Sequence, residues 1–162
     1  MRLNIRKMKL DDWGEVSKIY DEGIKTNIAT FQENVPKYED WDFSHLNEFR
    51  YVGIIDEKIV GWVALSPISS RAVYLGVVEL SIYISENFRG LGIGKKLVDY
   101  IIEKTENNNV WTIQSSIIEE NSASIELHKK CGFRMVGYRE RIAKDKNGVW
   151  KNTILMERRS KL

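Results

Sequence analysis

The sequence predicts an α/β (α+β) fold, a central mixed and mostly antiparallel sheet of about seven strands flanked by about four helices. Three observations predict it. Apolar residues recur at two periods, alternating in some stretches and at helical spacing in others. Strand-like and helix-like stretches interleave along the chain instead of segregating. Two turn signals, Asp56-Glu57 and Asn147-Gly148, each join neighbouring strand-like runs into hairpins, which makes part of the sheet antiparallel.

The chain opens with a strand-like RLNIRKM. Asp11 can cap the following helix, in which Trp13, Val16, Tyr20 and Ile24 form an apolar stripe. A second helix is expected from about Tyr38 to Phe49. YVGIIDEKIVGWVALSPI reads as a hairpin, and VYLGVVELSIYIS as a long strand. The third helix starts in RGLGIGKKLVDYIIEK, with Leu97, Val98, Ile101 and Ile102 on its buried face. VWTIQSSII is a strand, and Asn121 caps a fourth helix that ends at Cys131-Gly132. Two strands joined through Asn147-Gly148 finish the chain.

At 162 residues, one domain over residues 1–162 is expected. There are 25 Lys and Arg against 23 Asp and Glu, a near balance that argues against a nucleic-acid binder. Cys131 is the only cysteine, so no internal disulfide or four-cysteine zinc site can form. With two histidines, His45 and His128, no metal site is expected, and His45 is read as exposed. No apolar run has the ~20 residues of a membrane span, and MRLNIRKMKLDDW lacks the apolar core of a signal peptide. The expectation is a soluble cytoplasmic protein without a membrane partner.

The run Arg89-Gly90-Leu91-Gly92-Ile93-Gly94-Lys95 precedes a helix. Helix N-termini carry unpaired N–H groups and a partial positive charge, and glycines let an anion approach the backbone. A Walker loop fails, because Arg89 and Lys96 stand where it needs Gly and Ser/Thr. A Rossmann fingerprint also fails, since its third glycine would fall on Lys95 or Leu97. The pattern Arg/Gln-x-x-Gly-x-Gly/Ala fits at Arg89, Gly92 and Gly94. A second pattern, Asn-x-x-Ala/Ser-x-x-Leu followed by Gly-Phe, fits at Asn121, Ser124, Leu127, Gly132 and Phe133.

On these two motifs the chain resembles the GNAT superfamily of acetyl-CoA-dependent N-acetyltransferases. Over almost its whole length it resembles the phosphinothricin and methionine sulfoximine N-acetyltransferase branch, through YDEGIKTNIATFQ, SSRAVYLGVVELSIYIS, SASIELHKKCGF and KNGVWKNTILMER. Val77 and Asn152 depart from the Thr and Asp usual in that branch, and SSRAVY lacks its Arg/Pro-rich lead-in. These departures bear on substrate identity. The resemblance implies a GNAT-type domain with acetyl-CoA as cosubstrate, a small amino-acid-like amine as acceptor, direct attack in a ternary complex, and a homodimer.

Alternation sets Glu79, Ser81 and Tyr83 on one face of their strand, amid apolar neighbours that would raise a carboxylate's pKa. From pattern alone Glu79 is either a base or a solvated, ion-paired glutamate; the resemblance implies the base. His128 shares a helix face with Ser124, Leu127 and Cys131, and is either a packed core residue or an acid/base group. The resemblance further implies a bulged strand around Ile82, Tyr83 and Ile84 whose backbone polarises the thioester and pairs with the pantetheine arm. It implies a phosphate cradle from Arg89 to Lys95, including Gly90, Leu91, Gly92, Ile93 and Gly94. Asn121 and Ser124 are cofactor contacts or a helix cap and a small packing residue. Arg71 and Tyr74 are implied for the acceptor's carboxylate, and Phe31, Trp150 and Asn152 as walls or ordinary packing. Competing functions are acetylation of a protein N-terminus, a lysine or a polyamine, and a non-catalytic acetyl-CoA-binding module.

Overall fold

The computed structural model describes residues 2–161. Its seven strands are β1 (Asn4–Lys7), β2 (Arg50–Ile55), β3 (Lys58–Pro67), β4 (Val77–Ile84), β5 (Thr112–Ile118), β6 (Arg134–Lys144) and β7 (Trp150–Arg159). Its four α-helices are α1 (Trp13–Lys25), α2 (Tyr38–Ser44), α3 (Ile93–Thr105) and α4 (Ser122–Lys130). The strands lie in the order β1-β2-β3-β4-β5-β7-β6. Every neighbouring pair is antiparallel except β4 and β5, which are parallel. The element order and the mixed sheet agree with the sequence reading. No helix of the described residues is long and apolar enough to cross a membrane.

The two faces of the sheet carry separate cores. Val16 and Ile19 of α1 and Trp41 of α2 pack on Val52, Trp62 and Ala64. On the opposite face, Leu97, Val98 and Ile101 of α3 meet Val63, Leu65, Val78, Leu80, Ile113 and Ile117. Period-two alternation along β2 to β5 therefore assigns residues such as Glu79 and Tyr83 to the α1 side, and Leu80 to the α3 side.

Several local expectations change. The carboxylate at the start of α1 is Asp12, not Asp11. Asp12 accepts the Lys9 N–H at 2.7 Å and both Arg6 guanidinium nitrogens at 2.7 and 3.0 Å. Helix α2 stops at Ser44 because Leu46 N–H and the Phe49 carbonyl bond to Leu65 at the end of β3. His45 is not exposed: it stacks on Trp41 at 4.3 Å, and its Nδ1 bonds the Trp41 carbonyl at 2.7 Å. Residues 72–74 form a 3₁₀ turn, so β4 begins only at Val77. The Asn147-Gly148 hairpin is wider than a two-residue turn. Asp145 N–H bonds the Val149 carbonyl at 2.9 Å, and Gly148 takes φ 77, the left-handed position that closes such a loop.

Helix α1 presses on the sheet at Gly23. A methyl group there would sit 2.5 Å from Tyr83 Cδ1 and 2.6 Å from Cε1. Gly23→Ala gains roughly 1 kcal/mol of helix propensity, but overpacking against a ring held by Trp62 and Tyr20 costs about 1–3 kcal/mol. We expect the variant to be less stable in chemical denaturation. A stability equal to or above wild type would mean that the Tyr83 ring is free to move aside.

Candidate active site

Strands β4 and β5 pair over Val77↔Thr112, Val78↔Ile113 and Glu79↔Gln114, and then part. The β3–β4 ladder, by contrast, keeps one register from Gly61↔Ile84 to Pro67↔Val78. The expected bulge is therefore absent from that ladder, and the opening comes from the departure of β5. Ser85 N–H donates to the Val60 carbonyl at 2.8 Å. Antiparallel alternation then commits the amides of Glu79, Ser81 and Tyr83 to β3, and turns those of Leu80, Ile82 and Ile84 toward the gap. Of the three residues proposed for backbone contacts, Ile82 and Ile84 face the gap and Tyr83 does not. The Ile84 carbonyl is already used, accepting from Arg89 Nε at 3.2 Å.

A cavity of about 420 Å³ lies at this gap. Its walls include Glu79, Leu80, Ser81, Ile82 and Tyr83 of β4, and Ser115 to Ile118 of β5. Tyr20 and the segment Ala29 to Gln32 close it on the α1 side; Asn121, Ser124 and His128 close it on the α4 side. The gap thus joins the two faces of the sheet, and Glu79 and His128 reach it from opposite sides.

Glu79 is half-buried. Desolvation raises its pKa above the ordinary carboxylate value, opposed by a hydrogen bond from Gln114 and the positive charge of Arg139. His128 is buried at 2 % exposure. Its Nδ1 lies 2.6 Å from the Ser124 carbonyl and its Nε2 2.8 Å from Ser115 Oγ. A carbonyl only accepts, so Nδ1 carries the proton and Nε2 accepts from the Ser115 hydroxyl. Burial lowers the His128 pKa, outweighing the hydrogen bond to Ser124, so the neutral ring is favoured. Tyr83 stacks on Trp62 at 5.0 Å, lies tilted against Tyr20 at 4.8 Å, and has its hydroxyl pKa raised by burial.

At the far end of β4, Gly90 and Gly92 adopt φ 76 and 80, and a Cβ at either would meet open space. Their role is conformational. Gly92 is the N-cap of α3, with no side-chain cap and no acid in the first turn, so the helix N-terminus is bare. Gly94 differs: a Cβ there would lie 3.1 Å from Leu127 Cδ2, so this glycine lets α3 approach α4. Lys95 is exposed and ion-paired with Asp99 at 2.5 Å. Asn121 Oδ1 accepts the Ser124 N–H at 3.2 Å, so it caps α4 while also lining the cavity. The bare turn and the gap-facing β4 amides together suit an anionic, amide-bearing extended ligand.

The proposed acceptor residues divide. Phe31 lines the cavity. Arg71 is exposed and lies over the Tyr74 ring at 5.5 Å, on the loop before β4. Trp150 is exposed beside Lys144, and neither it, Arg71 nor Tyr74 borders the cavity. Asn152 instead accepts the Arg141 N–H at 2.8 Å and donates to Glu119 at 2.9 Å. The sequence reading did not single out Ser115 or Thr30, and it took Tyr20 only as part of the apolar stripe of α1. Ser115 had one signal, a hydroxyl on the otherwise apolar Ile113/Ile117 face of β5. Cys131 is buried, with its thiol pushed up to about 11, chiefly by burial, so it stays protonated.

Residues 16–133 match the acetyltransferase (GNAT) family, and the chain belongs to that family. It is 27% identical to the phosphinothricin N-acetyltransferase of Alcaligenes faecalis, over 95% of this chain and 81% of that one. It is 22% identical to the L-methionine sulfoximine/L-methionine sulfone acetyltransferase of Pseudomonas paraeruginosa, over 97% and 94%. The crystal structure of a GNAT superfamily phosphinothricin acetyltransferase from Sinorhizobium meliloti in complex with AcCoA superposes with a TM-score of 0.89 at 26% identity, covering 98% of this chain and 89% of that one.

The lowered basicity of His128 gives a signed pH effect. Below about 6.5, its ordinary value, the unfolded chain takes up a proton that the folded protein resists, so stability falls as pH drops. His45 titrates in the same direction, through burial. His128→Gln should flatten stability against pH just below neutrality. It should also cost about 1–3 kcal/mol at neutral pH, by disturbing the bond to Ser115. An unchanged slope in denaturation at several pH values would assign the titration elsewhere.

Proposed function

We propose that the protein transfers the acetyl group of acetyl-CoA to the amine of a small amino-acid-like acceptor of the phosphinothricin or methionine sulfoximine type, by direct attack in a ternary complex. The observation that carries this reading is the β4–β5 gap, with Glu79 on one side of the sheet and a bare helix N-terminus at its far end. The relatives named for such acceptors align along nearly all of this chain.

Acetyl-CoA supplies an activated thioester. The amides from Gly90 to Lys95, with Arg89 nearby, hold its diphosphate. The amides of Leu80 and Ile82 pair with its pantetheine arm, and one of them polarises the thioester carbonyl. Asn121 and Ser124 border the same arm. The acceptor enters from the α1 side, against Tyr20 and Phe31, with its ammonium beside Glu79. Glu79, directly or through water, removes one ammonium proton, and the freed lone pair attacks the carbonyl carbon. As the carbon–sulfur bond breaks, the proton left on nitrogen passes to the thiolate. The Ser115–His128 pair, which lines the cavity from the α4 side, would relay it. Cys131, held as a thiol, takes no part.

The reading extends to one domain over residues 1–162 in the cytoplasm, where a buried free thiol persists. It also includes a homodimer. Edge strand β6 exposes Met135, Val136, Tyr138 and Ile142, a surface suited to a second copy. Arg71 and Tyr74, outside the cavity of one chain, keep their proposed acceptor role only if such an assembly brings them to it.

A CoA-release screen across methionine sulfoximine, phosphinothricin, other amino acids, polyamines and short peptides tests the assignment. Turnover confined to peptides or polyamines would contradict it. Glu79→Gln should lower kcat/KM about 10²–10³-fold while acetyl-CoA affinity is retained. In wild type the acidic limb of kcat/KM should lie above the ordinary carboxylate value of 4.5, because burial raises the Glu79 pKa. Full turnover of the variant at every pH would remove Glu79 as the base.

A further inference from the structure

We propose that Asp145 is a positioning residue for the acceptor: its hydrogen bond with Asn27 holds the segment of residues 27–37 over the cavity beside Glu79. The proposal rests on reading that cavity as the acceptor site.

The segment joins α1 to α2 without regular secondary structure, and none of its residues is buried. Yet Ala29, Thr30, Phe31 and Gln32 form the α1-side wall of the cavity. A wall with so little apolar burial depends on its polar anchors. Among the described residues, one hydrogen bond between side chains ties it to the rest of the protein: Asn27 Nδ2 donates to Asp145 Oδ2 at 3.0 Å across 118 positions of sequence. Asn27 takes φ 59, a left-handed conformation that Asn tolerates better than most residues. The chain thus turns out of α1 at the residue that carries the anchor.

Asp145 is built to receive it. The residue is buried, at 8 % exposure, in the β6–β7 turn. Its Oδ1 accepts the N–H groups of Asn147 and Val149 at 2.8 and 3.0 Å, which leaves Oδ2 for Asn27. Lys151 Nζ lies 3.7 Å from Oδ2 and bonds Glu120 at 2.7 and 2.9 Å. Glu120 directly precedes Asn121, the cavity residue that caps α4. The chain Asn27–Asp145–Lys151–Glu120 therefore ties the acceptor wall to the turn before α4. Asp145 does not itself border the cavity, so it acts through the segment that it holds.

A charge swap tests the latch. Asn27→Asp opposes two carboxylates, and the double variant Asn27→Asp/Asp145→Asn restores one carboxylate and one carboxamide. The readouts are amide hydrogen exchange over residues 28–37, KM for methionine sulfoximine as probe acceptor, and KM for acetyl-CoA. In Asn27→Asp we expect exchange and acceptor KM each to rise about tenfold, with acetyl-CoA KM unchanged and both effects largely reversed in the double variant. Unchanged exchange, a double variant no better than the single, or equal rises in both KM values would overturn the proposal. If wild type acetylates no amine, the acetyltransferase reading fails by itself, and the exchange comparison still decides whether Asp145 holds the segment.

Discussion

The molecule turns on the early parting of β4 and β5. A strand leaves backbone N–H and C=O groups that must find partners, and within a sheet the partner is the next strand. Here the parallel ladder ends at Glu79↔Gln114, while β4 runs on to Ile84 with its other edge fully paired to β3. The amides of Leu80 and Ile82 are left facing a cavity. An extended chain of amides is the natural complement of such an edge, as in strand addition, and pantetheine is a chain of that kind.

The split also explains the division of labour across the sheet. Helices α1 and α2 cover one face, and α3 and α4 the other. Because the gap is the passage between them, groups on opposite faces meet the same small volume. Glu79 enters from the α1 face, where half-burial makes it a stronger base than an exposed carboxylate. Ser115 and His128 enter from the α4 face, with the imidazole kept neutral by burial and its tautomer fixed by the Ser124 carbonyl. On the proposed reading, the amine meets the first of these environments and the thiolate the second.

Much of this was legible because it is local. The cap at Asn121, the glycine turn at residues 90–92, the alternation of β4 and the order of elements are written in runs of a few residues. What was missed or altered depends on distant parts of the chain. Gly94 matches the loop pattern, yet its lack of a side chain answers Leu127 on α4. Helix α2 was overextended because Leu65, far along the sequence, claims the backbone of Leu46 and Phe49. Arg71 and Trp150 had suitable chemistry, but the loop before β4 and the start of β7 leave both outside the cavity. Asp145 lies just before the Asn147-Gly148 turn signal, and nothing near it in sequence points to Asn27.

The most direct measurement is residue-resolved amide hydrogen exchange of the wild-type protein with and without coenzyme A. Binding in the gap should slow exchange at Leu80, Ile82 and the Gly90–Lys95 turn, and leave the amides of Ser81 and Tyr83, already bonded to β3, little changed. Protection confined to other segments, or none at saturating coenzyme, would contradict the gap as the place where the acetyl donor lies.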